Sequence, residues 1–208
     1  MIGIITRTSN RPNYFKRCSK SLIGQQNIGK HYVLYDDPKD KAYLKESNII
    51  HPVNKQRYQK SYKAPAPSTA RPPMLSLHNL YFNEIYSKVE EEWVYHLDDD
   101  NFLAPGAFTG IEHYLKGNVD LILCKIKHFT GGLPNRRDWD NKRIRVCGID
   151  TGCFIVRTNL IKKVKWDGWK CGDFRIIEKC SKLSKRTVWH NKAVSVMDQQ
   201  NLAKLNDM

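Results

Sequence analysis

Three adjacent carboxylates, Asp98-Asp99-Asp100, close the apolar run Trp93–Leu97. They repel one another, so a fold that keeps them together must place cationic charge among them. Extended geometry would turn Asp98 and Asp100 to one side and Asp99 to the other. Two carboxylates on one side suit a hard divalent cation, Mn²⁺ or Mg²⁺, which takes oxygen ligands. The same residues also suit a solvated turn, with Asn101 capping the next element. Asp36 ends the run Tyr32–Tyr35 and could accept hydrogen bonds from a base or ribose, although Asp36-Asp37-Pro38 is equally good turn chemistry. Asp173 follows Gly172 at the start of an amphipathic stretch, where a carboxylate serves as an N-cap or as a general base. His190, inside the run Thr187–Val196, is either a structural histidine or a metal ligand. The loop Thr6–Arg11 offers hydroxyls, Asn10 and two arginines but no glycine, which excludes a dinucleotide fingerprint or a Walker loop there.

These residues need elements to hold them. Short apolar runs alternate with amphipathic stretches, the pattern of an α/β fold with a mostly parallel central sheet flanked by helices. Ile2–Thr6, Tyr32–Tyr35, Ile49–Val53, Trp93–Leu97, Leu121–Ile126 and Thr187–Val196 read as strands, and regular structure resumes at Ile149–Val156. Pro12 opens a helix whose apolar stripe is Tyr14, Cys18 and Leu22. The spacing predicts a long helix from about Pro73, with Leu75, His78, Phe82, Ile85, Tyr86 and Val89 on one face. It predicts another from Pro105, carrying Phe108, Ile111 and Leu115, and a third after Asp173. That third helix puts Arg175, Lys179, Lys182 and Arg186 on a solvated face, opposite Ile176, Ile177, Cys180 and Leu183. The proline-rich residues 54–72 and the polar residues 131–143 read as loops, and the second is a candidate lid. An acidic triplet at the carboxyl end of a strand lies where parallel sheets bind ligands.

With 208 residues, 40% of them apolar, the chain is long enough for one domain with a real core, and disorder is excluded. The net charge of +14 is shared by both halves of the chain rather than gathered in a tail. Such a field attracts polyanions: nucleic acid, phosphorylated lipid or a nucleotide substrate. The six cysteines form no CxxC pair and read as core filler in a reducing compartment. No apolar run approaches the roughly 20 residues that span a bilayer. The expectation is a soluble, cytoplasmic monomer. Nothing after Gln200 looks like a designed terminus, which leaves room for this to be the first domain of a longer protein.

In this order the motifs resemble the GT-A fold of nucleotide-sugar glycosyltransferases, in particular the inverting family 2-like branch. IGIITRTSNRPNYFKRCSKSLIGQQ is similar to that family's opening strand, loop and first helix, and YHLDDDN to its DxD motif. GIDTGCFIVR followed by WDGWKCGDF is similar to its acceptor-side segment. The resemblance implies one domain over residues 1–208, with 1–100 holding the nucleotide sugar and 101–208 the acceptor. It implies that Thr6, Thr8 and Asp36 surround the base and ribose, and that Arg11 and Arg71 approach the nucleotide. Asp98 would contact the sugar or ribose side, Asp98 and Asp100 would hold Mn²⁺ or Mg²⁺, and His190 would be the late histidine on that metal. Asp173 would be the general base. The family has Glu-Asp where this chain has Gly-Asp, which leaves Asp150 as the fallback. The implied donor is a UDP-sugar and the implied acceptor a glycan or glycoprotein, with no nucleic-acid partner. The small size is similar to that of virus-encoded members. The residues alone leave open a metal-dependent nucleic-acid-processing or nucleic-acid-binding protein that uses the +14 surface.

Overall fold

The computed structural model describes residues 1–44, 48–127 and 131–197. Along Ile2–Thr8 (β1), Ile2 and Ile4 enter one core while Ile5 enters another. That alternation is what a central strand needs when both faces of its sheet are covered. Ile28–Tyr35 (β2) pairs parallel with β1, and Ile49–Pro52 (β3) pairs parallel with β2 beyond it. Trp93–His96 (β4) pairs parallel with β1 on the other side. Strands β5 (Asn101–Leu103), β6 (Leu121–Lys127), β7 (Phe154–Arg157) and β8 (Thr187–Met197) complete one mixed sheet. Its order is β3-β2-β1-β4-β7-β6-β8-β5. β7 runs antiparallel to both its neighbours, β8 is parallel to β6, and β5 is antiparallel to β8. The order reverses direction between β1 and β4, so the loops leaving their carboxyl ends diverge and open a crevice.

Seven helices cover the sheet among the described residues: α1 (Pro12–Lys20), α2 (Lys55–Ser61), α3 (Phe82–Ile85), α4 (Glu112–Lys116), α5 (Arg136–Asp140), α6 (Thr158–Ile161) and α7 (Gly172–Leu183). Phe82 and Ile85 of α3, Leu160 and Ile161 of α6, and Phe174, Ile176 and Ile177 of α7 join Ile5, Leu34, Val94 and Phe154 in the first core. Cys18 of α1 and Leu115 of α4 join Ile4, Trp93, Tyr95 and Ile155 in the second. No helix among the described residues is long and apolar enough to cross a membrane.

Four expected elements differ. The helix expected from Pro73 starts only at Leu77 and runs as a three-ten turn (Leu77–Tyr81), α3 and a second three-ten turn (Tyr86–Lys88). Its first residues are engaged elsewhere: Ser76 N–H donates to the Gly168 carbonyl (2.7 Å), and Leu75 bridges Trp169 as a strand would. Leu75 is consequently exposed, and His78 faces the crevice rather than the core. The segment 54–72 contains α2, capped by the Asn54 side chain; α2 buries no residue and so shows no apolar period. The helix expected from Pro105 is confined to α4. Residues 131–143 are not a free polar loop: Asn135 caps α5, and the buried Trp139 packs edge-on against Trp189. The stretch after Gln200 lies outside the described residues.

The cationic face assigned to α7 also needs correction. Arg175 is 6% exposed and forks onto Asp167, with Nε–Oδ2 at 2.7 Å and Nη2–Oδ1 at 2.6 Å. It also donates to the Trp169 and Lys170 carbonyls, so it fastens α7 to the loop before it. Removing one partner of such a pair strands the other charge, at about 3–5 kcal/mol. Asp167→Ala should therefore lower the melting temperature by about 6–20 °C. A shift of less than 2 °C in a calorimetric scan would show that the pair does not hold α7.

Candidate active site

The loops leaving β1, β2 and β4 meet at the crevice. Arg7, Thr8, Ser9 and Arg11 come from the first, Asp36 from the second and Asp98, Asp99 and Asp100 from the third. Lys55, Gln59, Leu75, Leu77, His78 and Tyr81 close the far wall of a cleft of about 570 Å³. A smaller lobe of about 170 Å³ adjoins it, lined by Ser76, Asn79, Asp150, Thr151, Cys171, Gly172 and Asp173. Arg7, His78 and Asp98 line both lobes and mark where they join.

The cations required by the acidic triplet are two arginines. Arg7 grips Asp98 with Nε–Oδ1 at 3.0 Å and Nη2–Oδ2 at 3.2 Å. Arg11 Nη1 bridges Asp99 Oδ1 (3.0 Å) and Asp100 Oδ2 (3.3 Å). Asp99 is buried on the Arg11 side, while Asp98 and Asp100 stay half-buried on the cleft wall. Desolvation pushes Asp99 up to about 7 and raises Asp100, which the charge of Asp98 raises further. The two outward carboxylates thus lie in each other's field. Among the described residues no three His, Cys, Asp or Glu side chains converge on one point. A Mg²⁺-like ion does not need that many, because it binds through one or two carboxylates when substrate phosphates supply the rest. All-oxygen donors on the open wall of a cleft fit such an ion.

In the smaller lobe, Asp150 caps the three-ten turn Thr151–Cys153, with Oδ1 accepting from Gly152 N–H at 3.0 Å. Asp173 sits in the first turn of α7, with Oδ1 accepting from Phe174 N–H at 2.9 Å. Desolvation raises both carboxyls, and the Asp173 charge raises Asp150 further. Carboxyls raised by burial in this way can take up or release a proton closer to neutrality than ordinary carboxylates. Asn79 braces this lobe against the first: its Oδ1 accepts from Arg7 Nη1 (2.9 Å) and its Nδ2 donates to the Trp169 carbonyl (3.2 Å). A Cβ at position 172 would lie 2.6 Å from Asn79 Nδ2. That is the physical reason for glycine, rather than a larger residue, before Asp173.

Of the residues singled out by sequence, the structure brings Thr8, Arg11, Asp36, Asp98, Asp100, Asp150 and Asp173 to the two lobes. Asp36 accepts from Tyr81 OH at 2.9 Å and pairs with Lys55 at 3.7 Å. Thr6 is fully buried instead, its hydroxyl hydrogen-bonded to His31 Nε2 (2.9 Å), so only one of the two threonines reaches the cleft. Arg71 is exposed, with Nε directed to the Ser68 carbonyl (3.5 Å), and lines neither lobe. His190 packs edge-on against Tyr114 of the α4 layer, where burial and Lys192 lower its pKa, and lines neither lobe. Sequence reasoning missed Arg7, Asn79 and His78. Arg7 lies inside the polar loop Thr6–Arg11, His78 carries the spacing of the apolar face expected from Pro73, and nothing in the sequence pattern marks Asn79.

Solved structures place this architecture. The chain superposes on Staphylococcus aureus TarS 1-349 in complex with UDP with a TM-score of 0.64 at 17% identity, covering 94% of this chain and 59% of that one. Glucosyl-3-phosphoglycerate synthase from Mycobacterium tuberculosis, in complex with Mn²⁺, UDP and phosphoglyceric acid, gives 0.55 at 13% identity, over 99% of this chain and 73% of that one. The fold is GT-A-like. The mannosyltransferase PcManGT from Pyrobaculum calidifontis, in complex with GDP-Man and Mn²⁺, shares the GT-A-like architecture with a TM-score of 0.58 at 14% identity, over 98% of this chain and 59% of that one. The chain spans 37% of the longer TarS chain. These sources lend no support to the expected likeness to virus-encoded members. No protein-family model matches the sequence, and no curated protein matches it.

Proposed function

We propose that the protein is a glycosyltransferase that moves a sugar from a nucleoside-diphosphate sugar, UDP-linked by preference, to an acceptor hydroxyl with inversion. One observation carries this reading: a donor-sized cleft and a smaller lobe meet at Arg7, His78 and Asp98, with outward carboxylates on one side and a protonatable pair on the other. The GT-A-like fold supports it, since TarS and glucosyl-3-phosphoglycerate synthase have been crystallised with UDP, the latter with Mn²⁺.

Thr8, Arg11 and Asp36 line the donor cleft, where hydroxyl, guanidinium and carboxylate can meet base, phosphate and ribose. Asp98 and Asp100 would hold the divalent ion, which supplies positive charge to the leaving diphosphate. His190 and Arg71 have no part in this site, and Thr6 supports it from the core. Arg7 and Arg11 stand where charge builds on the diphosphate as the anomeric C–O bond breaks. The acceptor oxygen attacks that carbon from the second lobe, and its proton passes to Asp173, with Asp150 the neighbour that can share it. A glycan or glycoprotein hydroxyl suits a lobe this open and polar.

The deciding experiment is a thermal-shift panel of UDP, GDP, CDP, dTDP and ADP with Mn²⁺, Mg²⁺ or EDTA. A diphosphate at about 100 times its Kd adds roughly 2.7 kcal/mol, which for this size is a rise of about 5–11 °C. The expected result is a metal-dependent rise with UDP. A rise with oligonucleotides and none with any diphosphate would overturn the proposal and favour nucleic-acid chemistry on the basic surface.

A further inference from the structure

Cys18, Cys124, Cys153 and Cys180 are core residues, and burial raises all four thiols far above the range in which they react. Cys147 and Cys171 are not core residues. Cys147 is exposed, Cys171 is half-buried, and their sulfurs lie 3.5 Å apart. Both hold left-handed backbone, with φ of 59° and 60°. That conformation costs a residue with a Cβ roughly 1–2 kcal/mol, and such strain concentrates where a side chain has a task. The Cys171 thiol donates to the Arg71 carbonyl (3.5 Å), which leaves its sulfur free to accept from Cys147. Closing from 3.5 Å to a disulfide length of about 2.05 Å is within the reach of side-chain rotation. The pair is also well placed. Cys147 lies three residues before Asp150, Cys171 lies two before Asp173, and Cys171 lines the smaller lobe with both carboxylates.

We propose that Cys147 and Cys171 form a reversible dithiol–disulfide modification site, oxidised by hydroperoxides or by small disulfides such as oxidised glutathione. The exposed Cys147 thiolate attacks one peroxide oxygen. The O–O bond breaks, hydroxide leaves and is protonated to water, and Cys147 becomes a sulfenic acid. The Cys171 thiolate then attacks that sulfur, the S–O bond breaks, and a second hydroxide leaves as water. Two thiols lose two electrons to one peroxide, and their two protons end in the two waters. With oxidised glutathione, Cys147 displaces one glutathione thiol to form a mixed disulfide, and Cys171 displaces the second. The product covalently ties the segment bearing Asp150 to the first turn bearing Asp173. A reducing thiol pool reverses it.

The test does not depend on what the protein transfers. Wild type, Cys147→Ser and Cys171→Ser are treated with hydrogen peroxide or oxidised glutathione, alkylated with N-ethylmaleimide and weighed intact. The expected wild-type product has lost two hydrogens and takes up two fewer alkyl groups, and a proteolytic map links Cys147 to Cys171. Dithiothreitol restores both thiols, and neither serine variant forms the link. Full alkylation of oxidant-treated wild type would overturn the proposal. So would a sulfinic acid at Cys147 beside a free Cys171, or a link to any other cysteine.

Discussion

Asp173→Asn is expected to lose about 10²–10⁴-fold in turnover, the usual worth of general-base help, while the nucleotide-induced thermal shift persists. The substitution keeps the size of the side chain and its contact with the Phe174 N–H, so binding in the larger cleft is untouched. Asp150→Asn separates the two candidates. A loss there, with Asp173→Asn at full turnover, would move the base to Asp150. The pH dependence adds a second signature. A base must be ionised, and desolvation, joined by the Asp173 charge acting on Asp150 and the Asp98 charge acting on Asp173, lifts both above the ordinary carboxylate range. Turnover should therefore fall, as pH drops, at a point above the usual value of about 4. In Asp173→Asn any residual activity should lose that acid limb to a lower pH, because Asp150 no longer faces a like charge.

Asp100→Ala should abolish the metal-dependent part of the nucleotide shift, leaving the same melting temperature in Mn²⁺ and in EDTA. Its carboxylate is one of the two that face the open cleft, where it accepts from Arg11 Nη1 at 3.3 Å. Arg11 keeps Asp99 at 3.0 Å when Asp100 is removed, so the loop retains its internal cation. Titration calorimetry with UDP at fixed Mn²⁺ makes the same comparison. Unchanged affinity would place the ion away from the triplet.

Much of the sheet was legible because β1, β2, β4 and β6 contain continuous apolar runs, and the acidic triplet because it follows one of them. What could not be read depended on partners distant in sequence. Three-residue β5 exists only through its pairing with β8, and α2 buries nothing and so carries no period. Arg175 carried the pattern of a solvated face, yet Asp167, eight residues earlier, draws it inward. The triplet's need for a cation was legible, but not that Arg7 and Arg11 meet it. Thr6 and Thr8 lie on the same side of a strand by sequence, and only the packing of His31 shows that one of them is spent in the core.

The strand order has a consequence for dividing or recombining this molecule. β4, the last strand of residues 1–100, is zipped on one side to β1 and on the other to β7 from the distant half. Asn79, also in the first half, braces the loop that leads to Asp173. A fragment ending near residue 100 would present β4 as a bare edge, open to pairing with other copies. The two halves of the chain are therefore not exchangeable cassettes. Chimeras with other proteins of this architecture would have to trade whole sheets, or else only the loops at their rim.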